Sequence, residues 1–175
     1  MLINLTELFT CEGKEKIYTP DIEMTEFHAP DGVYPVVSKE PVTLRIQNVG
    51  NRCLVLSGAA KLSLELRCSR CLDPVRHDFS LEFNRDLDMK QSEEERLEEL
   101  DEQPYLSGYN LDVDQLVRNE LLMSLPMKVL CSENCKGICN RCGTNLNHET
   151  CDCETRVLDP RMSVIQDIFK QSKEV

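Results

Sequence analysis

The sequence predicts an α+β fold on three observations. Apolar and polar residues alternate through residues 42–83, a capped helical pattern runs over 112–125, and six cysteines fall among the 23 residues CSENCKGICNRCGTNLNHETCDC, 131–153. Together these predict an antiparallel β-sheet or partial barrel in the N-terminal region, followed by a C-terminal helix and a small cysteine-rich module. The expected organisation is a β-rich region at 1–90, an acidic linker at 91–110, and a region at 111–175 that holds a helix, the cysteine-rich module and a terminal helix.

Period-two alternation places one face of a strand in a core and the other in water. Val42, Leu44 and Ile46 alternate with Thr43, Arg45 and Gln47. Leu62, Leu64 and Leu66 alternate with Lys61, Ser63 and Glu65, and Phe79, Leu81 and Phe83 alternate with Asp78, Ser80 and Glu82. NVGNRCLVLSG fits a hairpin with Gly50-Asn51 at its turn. Pro20, Pro30, Asp31, Gly32 and Pro35 break up the preceding segment, where short strands and loops are expected.

The stretch SEEERLEELDE, 92–102, holds seven acids and one arginine, a net charge of −6 out of −11 for the whole chain. It reads as a solvated linker or an arm for a basic partner, and residues 103–110 read as turn-rich. Asp112 is a good N-cap, with Gln115 three residues on. Val113, Leu116, Val117 and Leu121 fall on one helical face, and Pro126 stops the helix. A last helix is expected at 159–172, with Asp159 as cap, Pro160 in its first position, and Met162, Ile165, Ile168 and Phe169 as its apolar stripe.

The start MLINLTELFT has no basic segment and no long apolar stretch. A cytoplasmic protein is therefore expected, with its ten cysteines reduced and available to a metal rather than to disulfides. Eight of them form close pairs: Cys68/Cys71, Cys131/Cys135, Cys139/Cys142 and Cys151/Cys153. Cys11 and Cys53 stand alone and read as small buried hydrophobes.

Structural zinc takes four tetrahedral thiolate or imidazole ligands. Two cysteines separated by two residues curl around one ion, with intervening N–H groups aimed at sulfur. Gly143, directly after Cys142, permits the positive φ with which the chain turns away. In the CDC pair, residues i and i+2 of an extended segment share a face. Cys139, Cys142, Cys151 and Cys153 therefore close one local site, a small zinc-knuckle module, with His148 as an alternative ligand. Cys68, Cys71, Cys131 and Cys135 form a second. Two other arrangements stay open: Cys68/Cys71 with Cys139/Cys142, or Cys131, Cys135 and Cys139 along one helical face. One or two structural zinc ions are implied.

A four-thiolate zinc site carries about −2 of charge. Arg67, Arg70, Lys128, Lys136 and Arg141 surround the pairs and either neutralise it or contact RNA or a partner; Arg76 and His77 extend this basic set. No enzyme is expected. The three histidines are scattered, and neither a zinc-protease helix motif nor a phosphate-binding glycine loop is present. The strong net negative charge excludes an RNA-binding surface over the whole protein but not a local basic patch.

LINL near the start, DGVYPV, ELRCSRCLDPV, the downstream LP, CKGICNRCGTNLN and the final C-x-C before LDPR resemble the YceD family of large ribosomal RNA subunit accumulation proteins. The resemblance spans about residues 2–170 and is most specific at 68–72 and 135–147. Cys68, Arg70 and Cys71, and in the tail Cys135, Cys139, Cys142, Cys151 and Cys153, match its motifs. It implies a non-enzymatic, bacterial-type cytoplasmic factor in large-subunit ribosomal RNA accumulation or processing. On this reading the partner is precursor large-subunit RNA or a large-subunit ribosomal protein, met by Arg70, Arg67, Arg76, Lys136 and Arg141, with no membrane and no small-molecule substrate. Two rivals from other classes are a redox-switched zinc chaperone and a zinc-stabilised adaptor that binds only protein.

Overall fold

The structure, a computed structural model, describes residues 1–90 and 103–153. The chain groups into two compact units, one of Met1–Arg67 with Pro74–Val129 and the other of Cys68–Asp73 with the chain from Leu130 onward.

Among its described residues the first unit is an antiparallel β-structure with one α-helix. Its strands are β1 (Leu2–Asn4), β2 (Glu15–Tyr18), β3 (Glu26–Ala29), β4 (Gly32–Lys39), β5 (Thr43–Gly50), β6 (Cys53–Arg67), β7 (Pro74–Asp88), β8 (Leu106–Ser107) and β9 (Asn110–Asp112). β6 and β7 pair along their full lengths, from Cys53↔Asp88 to Arg67↔Pro74, with no register shift. The other edge of β6 is shared: β5 takes Cys53 to Ala59, and β4 takes Leu62 to Leu64. β2 extends the sheet beyond β5, and β3 beyond β4. The larger sheet is an open path, and no described pair closes it into the partial barrel that the sequence suggested.

The alternation survives as burial. Val42, Leu44 and Ile46 are fully buried, and Leu62, Leu64, Leu66, Phe79, Leu81 and Phe83 are all in the core. The hairpin turn lies one residue later than expected. Gly50 pairs with Cys53, so Asn51 and Arg52 form the loop, at φ of 53° and 57°. Both residues in the left-handed region suit the twist of a two-residue hairpin. The segment broken by Pro30 and Pro35 is also more regular than expected. Pro30-Asp31 makes a tight link between β3 and β4, and Pro35 sits inside the eight-residue β4.

Cys11 and Cys53 correct the sequence reading, since Cys11 is exposed and Cys53 only half-buried. Cys11 follows a short 3-10 helix at Thr6–Thr10, and Cys53 opens β6 on its polar face.

A small three-stranded sheet, β1-β9-β8, uses part of the expected linker: Ser107 pairs with Asn110 across Gly108. β9 leads directly into α1 (Val113–Ser124), whose N-cap Asp112 accepts from the N–H groups of Asp114 and Gln115. Val113, Leu116, Val117 and Leu121 are fully buried. Leu125 is extended, as the residue before Pro126 must be, and the helix ends there. Glu120, buried on α1, accepts from Arg85 of β7 at 2.8 and 3.1 Å. The acidic run at 92–102 and the expected helix at 159–172 lie outside the described residues. α1, β8 and β9 group with the sheet rather than with the cysteine-rich segment.

Gly58 leaves no room for a side chain. A Cβ there would stand 2.7 Å from the Thr43 carbonyl and from Phe83, its cross-strand partner. Gly58→Ala is expected to lower stability by about 1–3 kcal/mol through overpacking. Urea unfolding checks this, with an unchanged midpoint as the contrary result. Asp112→Ala should cost about 1 kcal/mol in the same assay, the usual worth of an N-cap.

Candidate metal centres

The loop 68–73 joins β6 to β7 and carries the first cysteine knuckle. The Cys68 N–H donates to the Asp73 carbonyl at 2.9 Å, and the Leu72 N–H donates to the Cys68 carbonyl at 3.0 Å. The second knuckle repeats this pattern. The Cys139 N–H donates to the Thr144 carbonyl at 2.9 Å, and the Gly143 N–H to the Cys139 carbonyl at 2.9 Å. The residue after the second cysteine is left-handed in both, Leu72 at φ 65° and Gly143 at φ 76°. CSRCLD and CNRCGT are thus two copies of one short fold, each with an arginine before its second cysteine.

Each knuckle meets one further pair. Cys68, Cys71, Cys131 and Cys135 place their four sulfurs within 4.8 Å of one another, and so do Cys139, Cys142, Cys151 and Cys153. In the first group Cys68 Sγ is 3.8 Å from Cys135 Sγ, and Cys71 Sγ is 3.5 Å from Cys131 Sγ. Four sulfurs held about 2.3 Å from one tetrahedral ion are about 3.8 Å apart. Both groups could hold a metal ion. The partition excludes the two other arrangements: Cys68/Cys71 does not meet Cys139/Cys142, and Cys139 lies in the other group from Cys131 and Cys135. His148 is not a member of either group; its Nε2 lies 3.2 Å from Asp73 Oδ2.

The thiols differ in acidity. Burial pushes the Cys68 thiol up, but the main-chain N–H groups of Cys71, Arg70 and Cys131 outweigh it and bring it down to about 6. The Thr144 side chain and N–H bring Cys142 down to about 6 as well. Cys71 is raised, first by burial, and Cys153 is raised to about 12, first by its contact with Cys142. Cys135, first through the Asn147 amide, and Cys139, first through the Cys142 N–H, are lowered as well, so each group sets two acidified thiols beside two that resist a further charge. A cation at the centre removes that resistance, because it attracts every sulfur at once.

The basic residues separate into two kinds. Arg70 donates from Nη1 to the Cys135 carbonyl at 2.9 Å, and Arg76 is paired with Asp78 and bonded to Ser38 and Ser63. Arg67, Lys136 and Arg141 are exposed, with no side-chain hydrogen bond or ion pair to another described residue. Sequence reasoning missed Asp73, Asn145 and Asn147. Asn145 Nδ2 donates to both Asp73 carboxylate oxygens at 2.9 Å, and Asn147 Nδ2 donates to Cys135 Sγ at 3.3 Å. Their signal was the NLN that follows the second knuckle, which spacing rules treat as a spacer.

Fold and site together define a β-sheet protein with a cysteine-rich unit built on two four-thiol groups. The chain belongs to the YceD family: the family model described as large ribosomal RNA subunit accumulation protein YceD matches residues 56–169. Among curated relatives, an uncharacterized protein of Mycobacterium tuberculosis H37Rv is 26% identical over 126 residues, 72% of this chain and 60% of that protein. Chloroplastic homologues 1 of YCED, named for large ribosomal RNA subunit accumulation, are 27% identical over 64 residues in Arabidopsis thaliana and 31% over 61 in Zea mays. These cover 37% and 34% of this chain and 20% of each homologue. The chain spans about 60% of the length of the mycobacterial relatives it matches. No solved structure matches it. Among the described residues no helix is long and apolar enough to cross a membrane.

The geometry makes a prediction about reactivity. If each group holds a metal ion, an alkylating reagent should label Cys11 and Cys53 quickly and all eight grouped cysteines slowly, the exposed Cys131 and Cys142 included. A strong chelator should make all ten react. Mass-spectrometric mapping checks this, and fast labelling of the eight before chelation would contradict it.

Proposed function

We propose that each four-cysteine group binds one zinc ion, and that the knuckles so ordered serve a non-enzymatic role in the accumulation of large-subunit ribosomal RNA. The observation that carries the metal reading is the convergence of eight thiols into two groups of four, the sulfurs of each group within 4.8 Å of one another. An all-thiolate tetrahedral set suits zinc and, filled by four protein ligands, leaves no open position for catalysis. The ribosomal reading rests on family membership and on the names of the chloroplastic relatives. On this reading the protein works where ribosomes mature, in a bacterial-type cytoplasm.

Contacts within the protein support a narrower set of side chains for a partner. Arg70 and Arg76 are engaged with the protein's own groups, so their first role is to cap a carbonyl and to anchor the sheet surface. Arg141, Lys136 and Arg67 are exposed and suited to phosphate contacts on precursor RNA, or to acidic groups on a large-subunit ribosomal protein. Zinc would neutralise two of the four thiolate charges in each group and fix the knuckle that carries Arg141.

Depletion of the protein tests this reading through the ratio of large- to small-subunit ribosomal RNA. The ratio should fall on depletion and recover with the wild-type chain, but not with Cys139→Ser/Cys142→Ser. Arg141→Glu should also rescue poorly. If Arg141 meets a phosphate, its replacement should flatten the dependence of log affinity for RNA on log salt by about one unit. An unchanged ratio on depletion would reject the ribosomal role.

A further inference from the structure

We propose that the two cysteine groups fill in a set order, because the loop between the ligand pairs of the C-terminal group builds the other one. The inference rests on the metal reading above and goes beyond it by naming the residues that couple the two sites, Asn145 and Asn147.

The groups differ in what their assembly demands. Cys139, Cys142, Cys151 and Cys153 lie close in sequence, and their knuckle is closed by its own Thr144. The other group joins Cys71 to Cys131 across 60 residues and Cys68 to Cys135 across 67. The local group draws only on residues 139–153, whereas the other also needs the β6–β7 loop set against residues 131–135, so the local group is the easier one to form first.

Residues 143–150, between Cys142 and Cys151, are more than a spacer. Directly after Thr144, Asn145 donates to both carboxylate oxygens of Asp73, and Asp73 Oδ2 is 3.2 Å from Cys71 Sγ. The Asp73 carbonyl also accepts the Cys68 N–H, so one residue holds both ends of the first knuckle. The Leu146 N–H donates to the Gly137 carbonyl at 2.9 Å. Asn147 grips the remaining pair: its Nδ2 donates to Cys135 Sγ, and its Oδ1 accepts the Lys136 N–H at 2.8 Å. Asn145 Oδ1 accepts the Asn147 N–H at 3.0 Å and so links the two clamps. Gly137 completes the fit, since at φ 79° a Cβ there would stand 3.2 Å from the Arg70 carbonyl.

Filling the C-terminal group fixes residues 139–144, which in turn places Asn145 and Asn147 against Asp73 and Cys135. The first group then binds its ion with ligands already oriented. Groups that orient metal ligands in this way typically change affinity about 10–100-fold when removed. The coupling is reciprocal at equilibrium, so the order comes from the lower closure cost of the local group.

The test titrates the full, metal-free, reduced chain with Zn²⁺ against a chromophoric chelator and alkylates samples at one and two equivalents. At one equivalent, Cys139, Cys142, Cys151 and Cys153 should be protected while Cys68, Cys71, Cys131 and Cys135 still react. Cys151→Ser/Cys153→Ser should weaken the remaining group about 10–100-fold. Cys68→Ser/Cys71→Ser should leave the first binding step unchanged. Asn147→Ala keeps all eight thiols and should weaken only the second step, with hydrogen exchange in β6 and β7 confirming an intact sheet. Equal protection of both groups at one equivalent, early protection of Cys68 and Cys71, or an Asn147→Ala chain that binds both ions like wild type would each overturn the coupling. A wild-type chain that binds no zinc would overturn the metal reading itself.

Discussion

The convergence of Cys68 and Cys71 on Cys131 and Cys135 is the constraint on which the cysteine-rich unit depends. It brings the loop at the end of the β6–β7 hairpin into one compact unit with a segment some sixty residues later. Among the described residues the hydrophobic core lies wholly within the first unit. Order in the described part of the second unit needs another source, and four sulfurs around one ion supply it in small domains. Around each set the chain uses the same device: N–H groups aimed at sulfur, a left-handed residue after the second cysteine, and a polar side chain two residues after it, at Asp73 or Thr144.

Most of the sheet was legible because period-two alternation reports burial directly. The apolar set of β5, β6 and β7 in the sequence is the buried set in the structure. The helix was legible from its cap and its stop, both local signals. The division of eight cysteines into two groups was also legible, since two knuckles and two leftover pairs leave few combinations. Choosing among those combinations took the fold, because spacing does not say which distant loops meet.

What the sequence hid was of two kinds. Some of it was one-residue geometry. The β5–β6 turn falls on Asn51-Arg52 because a bulge between Asn48 and Gly50 shifts the register, and a bulge leaves no mark in an alternation pattern. Leu72 takes the left-handed role that glycine takes at 143, a strained choice that propensity argues against. The rest was chemistry that depends on neighbours. Arg70 and Arg76 also bind the protein's own carbonyl and carboxylate, contacts that spacing does not reveal. Cys53 sits among apolar residues in RCLVL, yet its strand position turns it to the polar face. Asn145 and Asn147 are ordinary loop residues until Asp73 and Cys135 are placed beside them.

The central claim is that the eight grouped cysteines are metal ligands, and native mass spectrometry of the intact reduced chain tests it most directly. The account predicts a mass higher than that of the acid-denatured chain by two zinc ions less about four protons, because each divalent ion takes the place of two protons at a given charge state. A native mass equal to the denatured one, or lowered only by the hydrogens lost to disulfides, would contradict it.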